Sequence, residues 1–312
     1  MKILVTGGTG FIGSFVVEAL LKNHDVAIIA NGRQLPSYLE KPVSPITYYQ
    51  ADFGETDALN KALPGCEAVI HLAWSTVPRK TKGATGHEFS SNLHSNINLI
   101  EKCIDFNVKK FIFISSGGTV YGVPEQVPIN ELHGLNPISN YGLGKLTMEK
   151  LLHLSHYNNN LNYTILRVSN AYGERQNLYK NQGVIGVWLK NILLQKKIEI
   201  WGDGSVIRDY IYVNDVASAV LKALPKVNGA SVFNIGGGKG YSLNEIANEI
   251  KSELGVSFEV EYKASRNFDV PLNILDITKA QKEIGFQPVT GLREGIANTW
   301  QWINDITQTL QK

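Results

Sequence analysis

A tyrosine and a lysine four residues apart carry the clearest acid–base signal in the chain. Tyr141 and Lys145 stand in the run Tyr-Gly-Leu-Gly-Lys, within a stretch that has a helical pattern. Because positions i and i+4 share a helix face, the lysine ammonium is expected beside the tyrosine phenol. A nearby cation stabilises a phenolate and lowers the tyrosine pKa toward working pH, so this pair predicts a general acid and base.

A glycine-rich turn near the first residue predicts a site for a dinucleotide. A short apolar run is followed by Gly7, Gly10 and Gly13, and then by a helical pattern. Strand, glycine-rich turn and helix in this order are typical of dinucleotide binding. Gly7 would permit the tight turn, Gly10 would let a pyrophosphate approach, and Gly13 would let the helix lie close to the strand. The first helical turn, with Phe11 and Ile12, would direct its N–H groups at the phosphates.

The residues after the second and third predicted strands bear on the choice of dinucleotide. An NAD-binding unit usually places an acid at the end of the second strand, whereas a cation suits a 2′-phosphate. Here Ala30 stands at the acid's position, and Asn31 and Arg33 follow it. Charge therefore favours NADP(H) over NAD(H), unless Arg33 is only a solvated loop residue. Asp52, after the third strand, can accept a hydrogen bond from the adenine amino group.

The fourth predicted strand ends in His71-Leu72-Ala73-Trp74. Leu72 and Ala73 are apolar, as expected beside a cofactor. His71 closes a buried strand, and we interpret it as structural rather than as a base.

Strand-like runs and helical patterns alternate through the first half of the chain. Strands are predicted at 2–6, 26–30, 46–50, 68–72, 111–115 and 163–168, and helices at 11–22, 57–63, 89–106 and 141–157. Apolar strands joined by crossover helices imply a parallel sheet covered on both faces.

The second half has a looser rhythm. It predicts helices at 184–195, 215–224, 243–254, 278–284 and 292–310, and strands at 198–201, 210–213, 232–235 and 258–262. The expected fold is α/β, a Rossmann-type doubly wound parallel sheet with a smaller α/β C-terminal substrate domain. We place the dinucleotide-binding domain at 1–168 and the second domain at 169–312. The boundary is not sharp, since the segment near 210–240 can return to the first sheet.

Composition excludes several classes of protein. The chain has 312 residues, 43% hydrophobic and 19% charged, and a net charge of +2, which argues against nucleic acid as a partner. Its two cysteines, Cys66 and Cys103, cannot form a disulfide framework and lack the spacing of a zinc site. No apolar run reaches the roughly 18 residues that span a bilayer. With a strand at the N-terminus and no signal peptide, a cytoplasmic location without metal is expected.

Taken together, the motifs resemble those of the extended short-chain dehydrogenase/reductases that act on nucleotide sugars, the group that includes UDP-galactose 4-epimerase. The resemblance covers nearly the whole chain. The matching runs are T-G-G-T-G-F-I-G (6–13), H-L-A-W (71–74), S-S-G-G-T-V-Y-G (115–122), Y-G-L-G-K (141–145), L-R-V-S-N-A-Y-G (166–173), G-D-G-S-V-I-R-D-Y-I-Y-V-N-D (202–215) and R-N-F-D (266–269).

The resemblance implies roles for individual residues. It makes Tyr141 the acid and base, and Lys145 its partner on the nicotinamide ribose, with Asn92 and Ser115 also close to the cofactor. On the substrate side, the residues implied are Asn170 at the sugar or diphosphate, Arg208 and Arg266 as a diphosphate clamp, Asp269 at the nucleoside ribose and Trp201 at the base. For Arg208, a structural pair with Asp209 or Asp215 is the alternative.

Three positions besides Ala30 differ from what the family or its dehydratase branch carries. The usual catalytic Ser or Thr is replaced by Gly117, so that Thr119 or Ser116 would have to supply the hydroxyl. The Asp-Glu pair of the dehydratases is replaced by Gly118 and Thr119, which argues against dehydration.

These features lead to a ranking of functions. We slightly favour a reductase of a dTDP- or CDP-linked 4-keto-6-deoxyhexose with NADP(H), in surface-glycan precursor synthesis. The alternative is a 4-epimerase of UDP-glucose or UDP-N-acetylglucosamine type with tightly bound NAD, and a catalytically silent NAD(P)-sensing protein is less favoured. The resemblance also implies a homodimer through the helices at 89–106 and 141–157. Apolar residues there (Ile97, Ile104, Leu146, Leu154) would face the partner or the sheet.

Overall fold

A seven-stranded parallel sheet forms the centre of the fold in the computed structural model, which describes residues 1–32, 45–74, 85–178, 182–265 and 270–310. The strands are β1 (Lys2–Thr6), β2 (Asp25–Ala30), β3 (Ile46–Gln50), β4 (Cys66–His71), β5 (Lys110–Ser116), β6 (Tyr163–Val168), β7 (Asn170–Tyr172), β8 (Ile198–Trp201), β9 (Ile207–Tyr212), β10 (Ala230–Ile235), β11 (Gly240–Ser242), β12 (Val260–Lys263) and β13 (Leu272–Asn273). The helices are α1 (Phe11–Leu20), α2 (Thr56–Ala62), α3 (Thr85–Asp105), α4 (Asn140–Asn159), α5 (Val184–Leu193), α6 (Val213–Ala223), α7 (Leu243–Leu254), α8 (Thr278–Ile284) and α9 (Leu292–Leu310).

The strand order in the main sheet is β10-β6-β5-β4-β1-β2-β3, with parallel pairing throughout. Successive side chains of one strand enter different cores, because they point to opposite faces of the sheet. Ile3 and Val5 pack in the core that holds α1 and α6, whereas Leu4 packs in the core that holds α2, α3 and α4. Both faces are therefore covered, and the prediction of a doubly wound α/β fold is confirmed.

The second half of the chain builds smaller sheets around a third core. Strands β7, β9, β11 and β13 form one sheet, and β8 pairs with β12. Their apolar side chains pack against α5, α7 and α9. Strand β10 instead joins the main sheet beside β6, with Val232 opposite Ile165. The domain division at 168/169 thus stays a proposal. Strand β10, from the segment near 210–240, does belong to the first sheet.

Most predicted elements are present, with ends shifted by a few residues. The sequence analysis missed β7, β11 and β13, which have three, three and two residues. Segments this short show no usable alternation of apolar and polar residues. Residue Val213, predicted to end a strand, begins α6 instead.

Cys66 and Cys103 are buried free thiols. Among the described helices, none has the length and apolar character needed to cross a membrane.

Candidate active site

The glycine-rich turn after β1 has the geometry of a phosphate cradle. Gly7 has a φ of +71°, and a Cβ built on it would lie 2.8 Å from the Ala73 nitrogen, so only glycine fits. A Cβ on Gly13 would overlap the Gly7 carbonyl oxygen. Helix α1 begins after Gly10 without a side-chain cap. Its first N–H groups, on the turn with Phe11 and Ile12, therefore suit an anionic ligand.

The end of β4 lies against this turn. The Leu72 N–H donates to the Thr6 carbonyl oxygen at 3.2 Å, and the Ala73 N–H donates to Thr6 Oγ1 at 3.4 Å. His71 is fully buried, its Nδ1 lies 2.6 Å from Thr6 Oγ1, and its ring stacks on Phe113. Burial, together with the nearby Lys145 charge, lowers the pKa of His71 to about 3. These contacts agree with a structural histidine.

The end of β2 carries Ala30 at the position where NAD-binding units usually have an acid, and the amide of Asn31 follows it. Asn31 Nδ2 donates to Asp52 Oδ2 at 3.3 Å, and the Asp52 carboxylate also accepts from the Gly54 N–H at 2.9 Å. Ala30 is buried at the strand end. Arg33, on which the NADP(H) preference rests, lies outside the described residues. Asn31 and Asp52 thus contact each other, their roles at a cofactor stay predictions, and the described residues do not show a cation for a 2′-phosphate.

Helix α4 places Tyr141 and Lys145 at its N-terminal end. Ser139 caps the helix by accepting from the Gly142 N–H at 3.1 Å, which fixes the turn that carries Tyr141. Lys145 is only 2% exposed, and its Nζ donates to the Ile114 carbonyl oxygen at the end of β5 at 2.8 Å. The same Nζ lies 5.7 Å from the centre of the Tyr141 ring. The pair therefore meets the end of β5.

The electrostatics of this pair differ from the sequence-based expectation. Burial raises the pKa of Tyr141 to about 12, and burial lowers the pKa of Lys145 to about 7, against the opposing effect of the Glu149 carboxylate. Burial of both side chains is the cause of these shifts, and the Lys145 ammonium donates to the Ile114 carbonyl oxygen. Helical spacing gave the common face correctly, but it does not fix where a long side chain ends.

A buried network that was not predicted from the sequence lies one turn beyond Lys145. Glu149 and Arg167 form an ion pair of 2.7 Å with both side chains 4% exposed. The Ser115 hydroxyl donates to Glu149 Oε1 at 2.5 Å, and Arg167 Nη1 donates to the Tyr121 hydroxyl at 3.0 Å. Ser115 was predicted to lie close to the cofactor, but its hydroxyl donates to the Glu149 carboxylate. The signal that would have found Glu149 is its spacing of four from Lys145.

The loop after β5 closes the site from the other side. A Cβ on Gly117 would lie 2.6 Å from Leu275 Cδ1 and 3.0 Å from the Arg167 carbonyl oxygen, so the family's usual Ser would require Leu275 to shift. A Cβ on Gly142 would lie 2.7 Å from the Thr119 carbonyl oxygen, which shows that Thr119 packs on the turn of Tyr141. Thr119 and Ser116 are both half-buried. The Thr119 hydroxyl donates to the Ser116 carbonyl oxygen at 3.5 Å, and the choice between the two hydroxyls stays a prediction.

Asn170 and Asn92 belong to different elements, β7 and α3. Asn170 starts β7, its Nδ2 donates to the Asp209 carbonyl oxygen at 3.0 Å, and a Cβ on Gly118 would be 3.9 Å from its amide. Asn92 is buried on α3. The structure thus brings Asn170 beside the Gly118 loop.

The predicted substrate residues are only partly described. Trp201 is at the edge of a cavity of about 790 Å³ that Asp203, Tyr262 and Lys263 also line. Arg208 lies on β9, and its Nη1 donates to the Ile207 carbonyl oxygen at 2.9 Å. Arg266 and Asp269 lie outside the described residues.

The acidic neighbours named as alternatives for Arg208 have other partners. The Asp209 carboxylate accepts from the Gly237 N–H at 2.7 Å, and Asp215 accepts from the Val289 and Thr290 N–H groups at 3.1 Å each. Between described residues, no ion pair joins Arg208 to either carboxylate.

Comparison with known proteins extends these findings. The model of the NAD dependent epimerase/dehydratase family matches residues 3–236. A putative UDP-glucose 4-epimerase from Methanocaldococcus jannaschii is 37% identical over 310 residues, which cover 98% of this chain and 100% of the relative. A dTDP-4-dehydro-6-deoxyglucose reductase from Escherichia coli is 30% identical over 306 residues, covering 94% of this chain and 95% of the relative.

Solved structures agree with this placement. The structure of the UDP-glucose 4-epimerase from Thermotoga maritima with UDP-glucose has a TM-score of 0.91 at 34% identity and covers 98% of this chain and 100% of that one. Other solved structures with this fold are complexes with NAD. The chain belongs to the NAD dependent epimerase/dehydratase family, and it is a nucleotide-sugar enzyme of the epimerase or reductase type that uses a nicotinamide cofactor.

Proposed function

We propose that the chain is a 4-epimerase of a UDP-linked hexose that keeps NAD bound, and that it serves surface-glycan precursor synthesis. The observation that carries the proposal is the end-to-end similarity to UDP-glucose 4-epimerases, at 37% identity over 98% of the chain. This similarity supports the epimerase alternative of the sequence analysis better than the reductase that was placed first.

The chain's own residues fit a dinucleotide. The glycine cradle and the uncapped start of α1 would hold the pyrophosphate, because a Cβ at Gly7 or Gly13 would fill the space that the turn needs. Asn31 and Asp52 would hold the adenosine end. Leu72, Ala73, Asn92 and Lys145 would flank the nicotinamide end. When bound, NAD supplies a reversible hydride acceptor for carbon 4 of the hexose.

Tyr141 would carry the proton chemistry. We expect its phenolate oxygen to take the proton from the sugar 4-hydroxyl, and the phenol so formed to return that proton to the 4-oxygen after the 4-keto sugar has turned its other face. Thr119, or else Ser116, would hydrogen-bond the same sugar oxygen in place of the missing serine. Asn170 and Arg208, with Arg266 and Asp269, would hold the diphosphate and ribose, and Trp201 would pack on the base.

A 4-keto-6-deoxyhexose reductase is the second candidate, and two observations favour it. Ala30 stands at the end of β2 where NAD-binding units usually carry an acid. The chain is also 30% identical to a reductase of this kind over 306 residues. NAD is nevertheless our preferred cofactor, since the family is described as NAD dependent.

A direct assay separates the two candidates. Purified protein would be incubated with UDP-glucose or UDP-N-acetylglucosamine without added cofactor, and the products followed by NMR. The cofactor released on denaturation would be identified by mass. We expect interconversion at carbon 4 and co-purified NAD. Oxidation of NADPH by a dTDP-4-keto-6-deoxyhexose, with no epimerisation of either UDP-sugar, would contradict the proposal.

A further inference from the structure

Trp74, the last residue of the H-L-A-W run, lies beside the acid–base pair. It follows β4, and the centre of its indole lies 4.2 Å from Lys145 Nζ. Its ring centre is 6.3 Å from that of Tyr141, with the planes at 77°, an edge-to-face contact. Phe113 contributes a further ring, 4.7 Å from the same Nζ. The ammonium is thus enclosed by aromatic rings and by the Ile114 carbonyl oxygen.

Gly144 on α4 is matched to this indole. A Cβ on Gly144 would lie 3.0 Å from Trp74 Cζ2, which is tighter than ordinary packing. Glycine is a poor residue for a helix interior, so its presence calls for a packing reason. Trp74 supplies that reason. Gly142 is a glycine for a different reason, since a Cβ on it would lie 2.7 Å from the Thr119 carbonyl oxygen.

We propose that Trp74 is a positioning residue that holds Lys145 and Tyr141 in reactive geometry, and that Gly144 is the residue that admits its indole. The face of an aromatic ring attracts a cation, so the indole takes the place of water around the buried ammonium. The edge contact limits rotation of the Tyr141 ring. The inference rests on the proposed roles of Tyr141 and Lys145, and it assigns Trp74 no contact with the sugar.

Turnover of Trp74 variants tests the positioning role. For Trp74→Leu we expect kcat to fall about tenfold, the scale of one desolvated cation–π contact. The KM for the UDP-sugar should stay within about twofold, because Trp74 is assigned no contact with the substrate and its loss should not weaken substrate binding. Trp74→Phe keeps a ring face and should recover most of kcat. Trp302→Leu, a half-buried tryptophan of the third core, is the matched control and should keep full turnover.

Thermal unfolding of double variants tests the packing independently of activity. Gly144→Ala alone should lower the unfolding midpoint because of the indole, whereas in the Trp74→Leu background the same change should raise it, as alanine favours a helix. Gly142→Ala should lower the midpoint in both backgrounds. The Trp74→Leu/Gly144→Ala protein should regain stability but not kcat, which separates positioning from simple stability.

The outcomes distinguish this inference from the proposed function. A parent protein that fails to epimerise UDP-sugars contradicts the proposed function. In that case the unfolding midpoints of the single and double variants still test whether Gly144 is a glycine in order to admit the Trp74 indole. An active parent whose Trp74→Leu variant keeps its kcat overturns the positioning role. If Gly144→Ala changes the unfolding midpoint by the same amount with Trp74 and with Leu at position 74, the proposed packing of Gly144 against the indole is overturned. Should Trp74→Leu not fold, a loss of kcat in Trp74→Phe equal to that of Tyr141→Phe would also contradict the inference.

Discussion

Tyr141 is the side chain on which the proposed chemistry depends most directly. Tyr141→Phe removes only the hydroxyl, and we expect kcat to fall by about 10²–10⁴-fold, the usual contribution of a positioned acid–base group. Stability and UDP-sugar binding should be nearly unchanged. The control is Tyr157→Phe on the same helix, a tyrosine 82% exposed, which should turn over like the parent. Equal turnover of both variants would remove Tyr141 from the mechanism.

Lys145 should make stability depend on pH. Burial lowers the pKa of Lys145 from 10.5 to about 7, so between these values the unfolded chain binds the extra proton. The free energy of unfolding of the unliganded protein therefore rises with pH in that window. Lys145 contributes at most ~1.4 kcal/mol per pH unit to this rise, and its contribution is lost as pH falls toward 7. Denaturant unfolding of parent and Lys145→Met at several pH values measures this. We expect the difference, parent minus variant, to grow from pH 7 to 10; parallel curves would show that the folded protein keeps the proton.

Some features of the candidate site could be predicted from the sequence, and others could not. The glycine turn and the Tyr141–Lys145 face follow from spacing along one segment, and both were predicted. The Trp74–Gly144 contact joins positions 70 residues apart, and nothing local in the chain points to it. The same holds for the clash at Gly117, since Leu275 comes from the far end of the chain.

At the scale of elements, the cap of α4 links stability to chemistry. Ser139 and Ser242 each cap a helix by accepting from a backbone N–H, at 3.1 Å in both cases. We expect Ser139→Ala and Ser242→Ala each to lower the free energy of unfolding by about 1 kcal/mol. Only Ser139→Ala should also lower kcat, because its helix carries Tyr141 in the first turn. Equal kcat values in both variants would mean that the first turn of α4 does not need its cap to place Tyr141.

Elements differ in how far sequence predicts them. Strands β1 and β6 and helices α7 and α9 are long, periodic or well capped, and their bounds were predicted without error. The short strands β7 and β11 are formed by pairing with β9, so they owe their conformation to tertiary contacts rather than to local pattern.

At the scale of the whole molecule, the outer face of α4 supports the proposal of a homodimer. Leu154 is 54% exposed there, and Leu143 and Tyr157 are also exposed, while Ile97, Ile104 and Leu146 are half-buried. Leu154→Arg should convert the protein from dimer to monomer in light scattering, since a charge in an apolar interface is strongly unfavourable. Val289→Arg, at a residue 78% exposed elsewhere, is the control and should leave the mass unchanged. A monomeric parent would contradict the dimer.

Epimerisation of UDP-glucose carrying deuterium at carbon 4 tests the central claim most directly. The purified protein, with no cofactor added, would be incubated in ordinary water and the UDP-galactose formed examined by NMR and mass spectrometry. If hydride leaves carbon 4 for the bound cofactor and returns to the opposite face, the product retains the deuterium at carbon 4. Loss of the deuterium to solvent would contradict the account. So would a protein that does not convert UDP-glucose but reduces a 4-keto sugar with NADPH.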